Sequence, residues 1–279
     1  MQAVRLRLGE RTYDVSTGSL VMGILNRTPD SFYDSGATFA LDALIERAER
    51  LVAEGADLLD IGGVRAGPGP EVSEAEELDR VIPAVEAVCS RIGVPVSVDT
   101  WRASVARESY GAGAVMGNDI SGFSDPDYLP AAREAGATVV ATHIRLAPRV
   151  EDPDPHYDDL VTEVRSFLAD RASRARDEGI AADKIVIDAG LDLGKTAAQS
   201  LELLRASPSL AELGYPLLLS ASNKDFLGTL FDLRADERGD ATLGAAAVGI
   251  ALGCRVVRVH DVSGARQVRD ALEAVLRAS

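Results

Sequence analysis

The sequence predicts a (β/α)8 TIM barrel, an α/β fold of eight parallel strands, with an N-terminal β-hairpin that closes the bottom of the barrel. Eight short apolar runs rich in Val, Ile and Leu are typical of strands buried on both faces. Helical patterns separate these runs, and repeated strand–helix alternation favours a closed parallel barrel. Nearly every run ends on a polar side chain, and in such barrels the strand ends form the face that carries the active site.

The elements follow in order along the chain. Val4, Leu6 and Leu8, a Gly9-Glu10 turn, and then Tyr13 and Val15 predict the hairpin over 4–15. The predicted strands are 20–25, 58–59, 94–98, 114–117, 138–142, 185–187, 217–222 and 255–257. The polar side chains at or soon after their ends are Asn26, Asp60, Asp99, Asn118, His143, Asp188, Lys224 and Arg258. Apolar residues at helical spacing predict helices over 40–53, 73–91, 157–178, 201–213, 242–252 and 265–276.

Length and composition indicate one globular domain over residues 1–279, with 46% hydrophobic and 26% charged residues. The net charge of −15 argues against a nucleic-acid partner or an anionic membrane. Cys89 and Cys254 are the only cysteines, so no disulfide framework or zinc site is expected. The N-terminus lacks the pattern of a signal peptide, and no apolar run reaches about 18 residues, so we expect a cytoplasmic protein without a membrane span.

Two loops at the predicted mouth have the composition of mobile segments. The loop over 26–36 is long and places an aromatic residue among carboxylates, which is typical of a lid. The loop over 62–70 is rich in Gly and Pro, which is weak evidence for phosphate binding. The side chains that we expect to move are Thr28, Asp30, Phe32, Asp34, Arg65 and Pro68.

Lysine, arginine and histidine side chains follow three other predicted strands. The chain has only three lysines among 29 Lys and Arg residues, and two of them, Lys195 and Lys224, follow predicted strands. Lys195 either serves the site or only caps a helix. Arg258 and His260 alternate by two and so face the same side, where a guanidinium beside an imidazole suits a phosphate or diphosphate. The alternative is a surface pair between Arg258 and Asp261.

His143 is either a buried core histidine or part of the site. With three histidines scattered along the chain, a multi-histidine metal site is not expected.

Several motifs together resemble the dihydropteroate synthase family. They are Met-Gly-Ile-Leu-Asn at 22–26, Thr-Pro-Asp-Ser-Phe at 28–32, Asp-Ile-Gly-Gly at 60–63, Ser-Val-Asp-Thr at 97–100, Asn-Asp-Ile at 118–120, Asp188 with Gly190 and Gly194-Lys195, Ser222 with Lys224, and Arg-Val-His-Asp at 258–261. The resemblance covers about residues 20–279 in family order. The pterin-binding domain of methyltetrahydrofolate methyltransferases is the related alternative, but the ending over 258–261 favours the synthases.

The resemblance implies a pterin-binding barrel of folate biosynthesis. In that family, 6-hydroxymethyl-dihydropterin diphosphate loses diphosphate with the help of Mg2+, and the amine of p-aminobenzoate, or of a sulfa-type analogue, attacks the pterin methylene. The family also implies a homodimer. The roles carried over are pterin binding by Asp99, Asn118, Asp188 and Lys224, diphosphate binding by Asn26, Arg258 and His260, metal contact by Asn26, and catalysis by Lys224, Arg258 and His260.

The chain departs from the family where the acceptor and the mobile loops are expected. Residues 64–67 read Val-Arg-Ala-Gly where the family has Glu-Ser-Thr-Arg, so Gly67 replaces a diphosphate-binding arginine. Asn223 replaces another arginine, and Leu193 replaces an aromatic residue expected against p-aminobenzoate. We therefore expect pterin and/or diphosphate binding, with the standard condensation weak or lost. The alternatives are a fully active synthase in which Arg65 serves for the lost arginine, and a diphosphate-displacing transferase with another acceptor amine.

Overall fold

The computed structural model describes residues 4–26, 36–67 and 69–277, and its centre is a closed barrel of eight parallel strands. The barrel strands are β3 Leu20–Asn26, β4 Leu58–Gly62, β5 Val96–Asp99, β6 Met116–Asp119, β7 Thr138–Thr142, β8 Ile185–Asp188, β9 Leu217–Leu219 and β10 Cys254–Val259. They pair in chain order, and β10 closes the barrel on β3 with Val256 opposite Leu20. The predicted TIM barrel is confirmed.

Helices surround the barrel. They are α1 Gly36–Glu54, α2 Glu74–Arg91, α3 Ala103–Gly111, α4 Tyr128–Ala135, α5 Leu160–Asp177, α6 Ala197–Arg205, α7 Ser207–Ala211, α8 Asp225–Phe231, α9 Gly239–Ala251 and α10 Val262–Arg277. Short 3-10 turns occur at Ala182–Lys184 and Ala235–Glu237. None of these helices is long and apolar enough to cross a membrane.

The hairpin of β1 Arg5–Leu8 and β2 Arg11–Asp14 fills the end of the barrel where the strands begin. Leu6 and Leu8 are fully buried in a cluster formed with residues from the starts of the strands, Met22 among them. Because these side chains cover the lower opening, a ligand has to enter from the end where the strands finish. The predicted closure of the bottom is confirmed.

Local sequence explains most helix boundaries. The Ser73 hydroxyl accepts from the Glu76 N–H at 3.2 Å, and the Asp159 carboxylate accepts from the Thr162 N–H at 3.1 Å, so each caps the helix that follows it. The predicted helix over 201–213 is wrong in one respect, because the chain breaks after Arg205 and restarts with Pro208 in the first turn of α7. Proline suits a first helical turn, where its missing N–H costs no hydrogen bond.

Candidate functional site

Five strands bring a group of charged and amide side chains together inside the mouth of the barrel. We call Asp60, Asp99, Asn118, Asp188 and Arg258 the floor cluster. Arg258 donates from Nε to Asp60 Oδ2 at 2.6 Å and from Nη2 to Asp99 Oδ2 at 2.8 Å. Asn118 Nδ2 donates to the same Asp60 oxygen at 3.1 Å. The guanidinium therefore links two carboxylates at the centre of the mouth.

Burial and neighbouring charge set the ionisation of this network. Burial raises the pKa of Asp99 to about 7, the Arg258 charge opposes that rise, and Asp60 adds to it. Burial works against the Arg258 cation, yet Asp60 and Asp99 hold its pKa above the ordinary value. Asp60 is fully buried, and its second oxygen, Oδ1, has no hydrogen-bond partner. An unpaired buried acceptor is costly, so the cluster is suited to a ligand that brings N–H donors.

Asp188 of the floor cluster also interacts electrostatically with Lys224, the residue that precedes α8. Asp188 Oδ1 accepts from the Gly190 N–H at 2.8 Å, and Lys224 Nζ donates to the Leu191 carbonyl at 2.5 Å. Burial raises the pKa of Asp188, and the Lys224 charge opposes that rise. Burial likewise lowers the pKa of Lys224 while Asp188 opposes it. A carboxylate and an amine thus influence each other across the mouth.

His260 lies beside Ser222 just after β10. Its Nδ1 is 2.8 Å from Ser222 Oγ, and its backbone carbonyl accepts from Arg47 Nη2 at 3.0 Å. Burial, followed by the charges of Arg258 and Arg47, lowers the pKa of His260 to about 4, so the ring is neutral at pH 7. The alternative pair of Arg258 with Asp261 does not form, because Arg258 bonds to Asp60 and Asp99.

Lys195 anchors the loop after β8. Its Nζ lies 2.9 Å from His143 Nδ1, and it donates to the Gly190 and Leu193 carbonyls at 2.8 and 2.9 Å. Thr196, not Lys195, caps α6. Burial is the main cause that lowers the pKa of Lys195 to about 7. With three acceptors around it, this ammonium is occupied within the protein.

His143 is a core histidine. It is buried and meets the Phe167 ring edge-on at a centroid distance of 4.8 Å.

A cavity of about 150 Å3 separates the second loop from the loops after β7 and β8. We call it the rim pocket. The residues that line it are Ala66, Gly67, Ile144, Leu146, Val150, Glu151, Asp152, Asp192, Leu193, Gly194 and Lys195. Asp152 is paired with Arg145 at 2.5 and 2.6 Å, and Asp192 Oδ2 accepts from the Phe226 N–H at 3.2 Å. The pocket wall therefore contains three carboxylates and one lysine that is already hydrogen bonded.

Arg149 holds the loop over 62–70 in place, and the sequence analysis did not predict this contact. Its Nη1 donates to the Arg65 carbonyl at 3.2 Å, its backbone N–H donates to the Ala66 carbonyl at 3.2 Å, and Nη2 also donates to the Pro70 carbonyl. The Arg65 side chain is exposed. Arg149 lies 84 residues from Arg65, and no local pattern in the sequence signals such a contact.

The remaining predicted site residues fall into two groups. Asn26 is exposed at the end of β3, and Asp99, Asn118, Asp188, Lys224, Arg258 and His260 all lie at the mouth. Thr28, Asp30, Phe32, Asp34 and Pro68 lie outside the described residues. Within residues 4–26, 36–67 and 69–277, no group of three His, Cys, Asp or Glu side chains is arranged to hold a metal ion. Asp60, which the sequence places at a strand end and at the start of the Asp-Ile-Gly-Gly motif, has no predicted binding role, although it is central to the floor cluster.

The barrel and its polar mouth define the class of (β/α)8 barrels that carry a charged site at the strand ends. The family model described as "Pterin binding enzyme" matches residues 22–260. The chain therefore belongs to the dihydropteroate synthase family of pterin-binding enzymes, the family of folate biosynthesis.

The relatives of this chain carry two descriptions. This chain is 40% identical over 275 residues to the dihydropteroate synthase of Synechocystis, and the match covers 98% of this chain and 95% of that protein. It is 41% identical over 266 residues to the "Inactive dihydropteroate synthase 2" of Mycobacterium leprae, covering 92% and 90%. The dihydropteroate synthase of Xanthomonas albilineans, solved with 4-aminobenzoic acid, matches with a TM-score of 0.92 at 36% identity over the whole of both chains.

Proposed function

We propose that this protein binds a pterin, a diphosphate or both at the barrel mouth, and that it condenses the standard substrate pair weakly or not at all. The second part of the proposal, weak or absent condensation, rests on the rim pocket. The pocket is lined by residues 66–67 and by Leu193. These positions lie where the family resemblance implies that the acceptor substrate binds. A carboxylate such as that of p-aminobenzoate would meet Glu151 and Asp192 there, while Asp152 is already paired with Arg145 and Lys195 is already bonded to protein acceptors. Like charges placed close together oppose binding.

The floor cluster supports the pterin half of the proposal. Asn118 donates to Asp60 through its amide nitrogen, which leaves its carbonyl oxygen as an acceptor. Asp99, Asp188 and the unpaired Asp60 oxygen add further acceptors around one mouth. A pterin edge carries both N–H donors and ring acceptors, so it matches this arrangement better than an apolar ligand does. A similar structure, the Xanthomonas albilineans dihydropteroate synthase in complex with 7,8-dihydropteroate, holds a ligand of this class.

Mg2+ enters this proposal only through Asn26. Magnesium prefers oxygen ligands and is commonly held by few protein groups together with substrate phosphates and water. The exposed carboxamide of Asn26 at the end of β3 is one such oxygen donor, so the residues fit a Mg2+ ion that a diphosphate brings with it. When bound, the ion would neutralise charge on the leaving diphosphate. His260, neutral and held by Ser222, would offer an N–H to the same group.

Two alternatives make different use of the same site. In a fully active synthase, Arg65 replaces the arginine lost at Gly67. In a transferase with another acceptor, the rim pocket takes an amine without a carboxylate, which its three acidic side chains favour. The relatives named above include both a synthase and a protein described as inactive at nearly equal identity, so similarity does not choose between these alternatives.

A steady-state assay with the pterin diphosphate and p-aminobenzoate tests the proposal directly. It is paired with calorimetric titration of the pterin diphosphate alone and with rescue of a strain that lacks the synthase. We expect measurable pterin binding, little turnover and no rescue. Turnover at the rate of ordinary enzymes with full rescue would support the Arg65 alternative instead. Wild-type protein that binds neither pterin nor diphosphate would exclude the proposal altogether.

We also propose a homodimer that uses the face of α8 and α9. This face carries Leu230, Phe231 and Val248, and Phe231 is 61% exposed. A cavity of about 320 Å3 beside it has an almost wholly apolar lining. Large exposed apolar patches commonly mark protein interfaces. Sedimentation should show a dimer that Phe231→Glu dissociates, whereas Val275→Glu, a matched change on α10, should leave it intact.

A further inference from the structure

A second cavity at the mouth lies on the side of β3 and has a volume of about 370 Å3. The residues that line it are Ile24, Leu25, Asn26, Ala43, Glu46, Arg47, Arg50 and His260. Two of them, Asn26 and His260, belong to the set of three residues for which the family resemblance implies a diphosphate contact. The third residue of that set, Arg258, does not line the cavity, since its guanidinium bonds to Asp60 and Asp99.

The cations of this cavity come from α1 instead. Arg47 and Arg50 are three residues apart, so they lie on the same face of the helix, beside Glu46. Arg47 is half-buried, and its Nη2 donates to the His260 carbonyl at 3.0 Å, which places its charge next to the imidazole. Arg50 is exposed at the cavity edge. Among the described lining residues, two guanidiniums against one carboxylate give the cavity a local positive charge in a chain of net charge −15.

We propose that Arg47 and Arg50, with Asn26 and His260, bind the phosphate groups of a diphosphate at this mouth. The inference rests on the proposed function and adds two binding residues to it. Guanidinium groups bind phosphate oxygens through paired, charge-assisted N–H bonds, and a helix face that carries two of them can contact both phosphates. These residues supply cations that the chain lacks at Gly67 and Asn223. The ligand class is inorganic diphosphate or a diphosphate ester.

The test is calorimetric titration of the full-length protein with inorganic pyrophosphate at two salt concentrations. We expect Arg50→Gln and Arg47→Gln each to weaken pyrophosphate binding about tenfold, because each removes one charge-assisted contact. Glu46→Gln should strengthen binding, since it removes the one carboxylate found among the described residues of the cavity lining. Binding by the wild type should weaken as salt rises. Arg5→Gln is the matched control, because Arg5 is exposed on the hairpin at the opposite end of the barrel.

A parallel titration with 6-hydroxymethylpterin, which has no phosphate, separates this inference from the proposed function. Arg50→Gln and Arg47→Gln should leave pterin affinity unchanged. Pyrophosphate affinity of Arg50→Gln within twofold of the Arg5→Gln control would overturn the inference while the proposed function stands. A wild type that binds pterin but no pyrophosphate would also overturn it. Loss of both ligands from the wild type would instead remove the proposed function. Arg50 and Glu46 are exposed, so their variants keep the test valid if Arg47→Gln misfolds.

Discussion

The floor cluster and the rim pocket lie at the same mouth but use their charges differently. In the floor cluster, one arginine joins two carboxylates, and Asp188 lies opposite the Lys224 amine. In the rim pocket, the one lysine is bonded to a ring nitrogen and two carbonyls, while three carboxylates line the wall. Opposite charges are therefore kept together in the floor cluster, whereas the carboxylates that line the rim pocket outnumber its single lysine.

The largest expected effect comes from breaking the floor cluster. Arg258→Met leaves Asp60 and Asp99 without their cation in a buried place, which should cost about 3–5 kcal/mol of unfolding free energy. Urea unfolding measures this loss. Arg255→Met on the same strand is the control, because Arg255 donates to the Ile250 and Cys254 carbonyls rather than to Asp60 or Asp99. Equal losses in the two variants would mean that the pairing with the carboxylates is not what stabilises the cluster.

The second largest effect is expected from a change in the rim pocket. Gly67→Arg would return an arginine to the position where the family resemblance implies a diphosphate contact, and a side chain fits there because an added Cβ meets no atom of the described residues within 4 Å. One regained transition-state donor should raise turnover of the standard pair by about 100-fold, with pterin affinity unchanged. Steady-state kinetics of Gly67→Arg beside Gly111→Arg, which adds the same charge on α3, measures this gain. A wild-type rate of about 1–1000 per second would contradict the prediction.

The pterin anchors should show an intermediate effect. Asp188→Ala or Asp99→Ala should weaken pterin binding by about 1–3 kcal/mol, because a ligand donor would be left unpaired in a closed site. Calorimetry with 6-hydroxymethylpterin measures the change, and Asp79→Ala, an exposed position on α2, is the control. Unchanged affinity in both anchor variants would place the pterin away from the floor cluster.

The last expected effect is a pH dependence of stability. Folding raises the pKa of Asp99 from 3.8 to about 7. The unfolded chain therefore releases this proton first as pH rises, so the stabilisation is full below pH 3.8 and is lost as pH rises towards 7. Buried His143 and His260, with lowered pKa values, act in the opposite direction, so the difference between wild type and Asp99→Asn isolates Asp99. A pH-independent difference in unfolding free energy would contradict this assignment.

Much of the fold and the position of the mouth could be predicted from local patterns. Apolar runs located the eight strands, and the side chains after those runs located Asp99, Asp188 and Lys224 at one end of the barrel. The break at Ala206 was missed, because helical periodicity continues across a short interruption. The capping residue Ser73 was visible because a cap depends on neighbours in the chain.

The sequence by itself determined the barrel, its closed lower end and the polar composition of its mouth. These features follow from apolar patterning and backbone preference, which are local properties of each residue and its neighbours in the chain. Only the tertiary structure decided which charges pair. Arg258 bonds to a carboxylate 198 residues away, and Arg149 holds a loop 84 residues away. Such contacts depend on strand order and register, which bring distant side chains within hydrogen-bond distance. For the same reason, the structure alone revealed that Lys195 is occupied within the protein and that Arg47 lies next to His260.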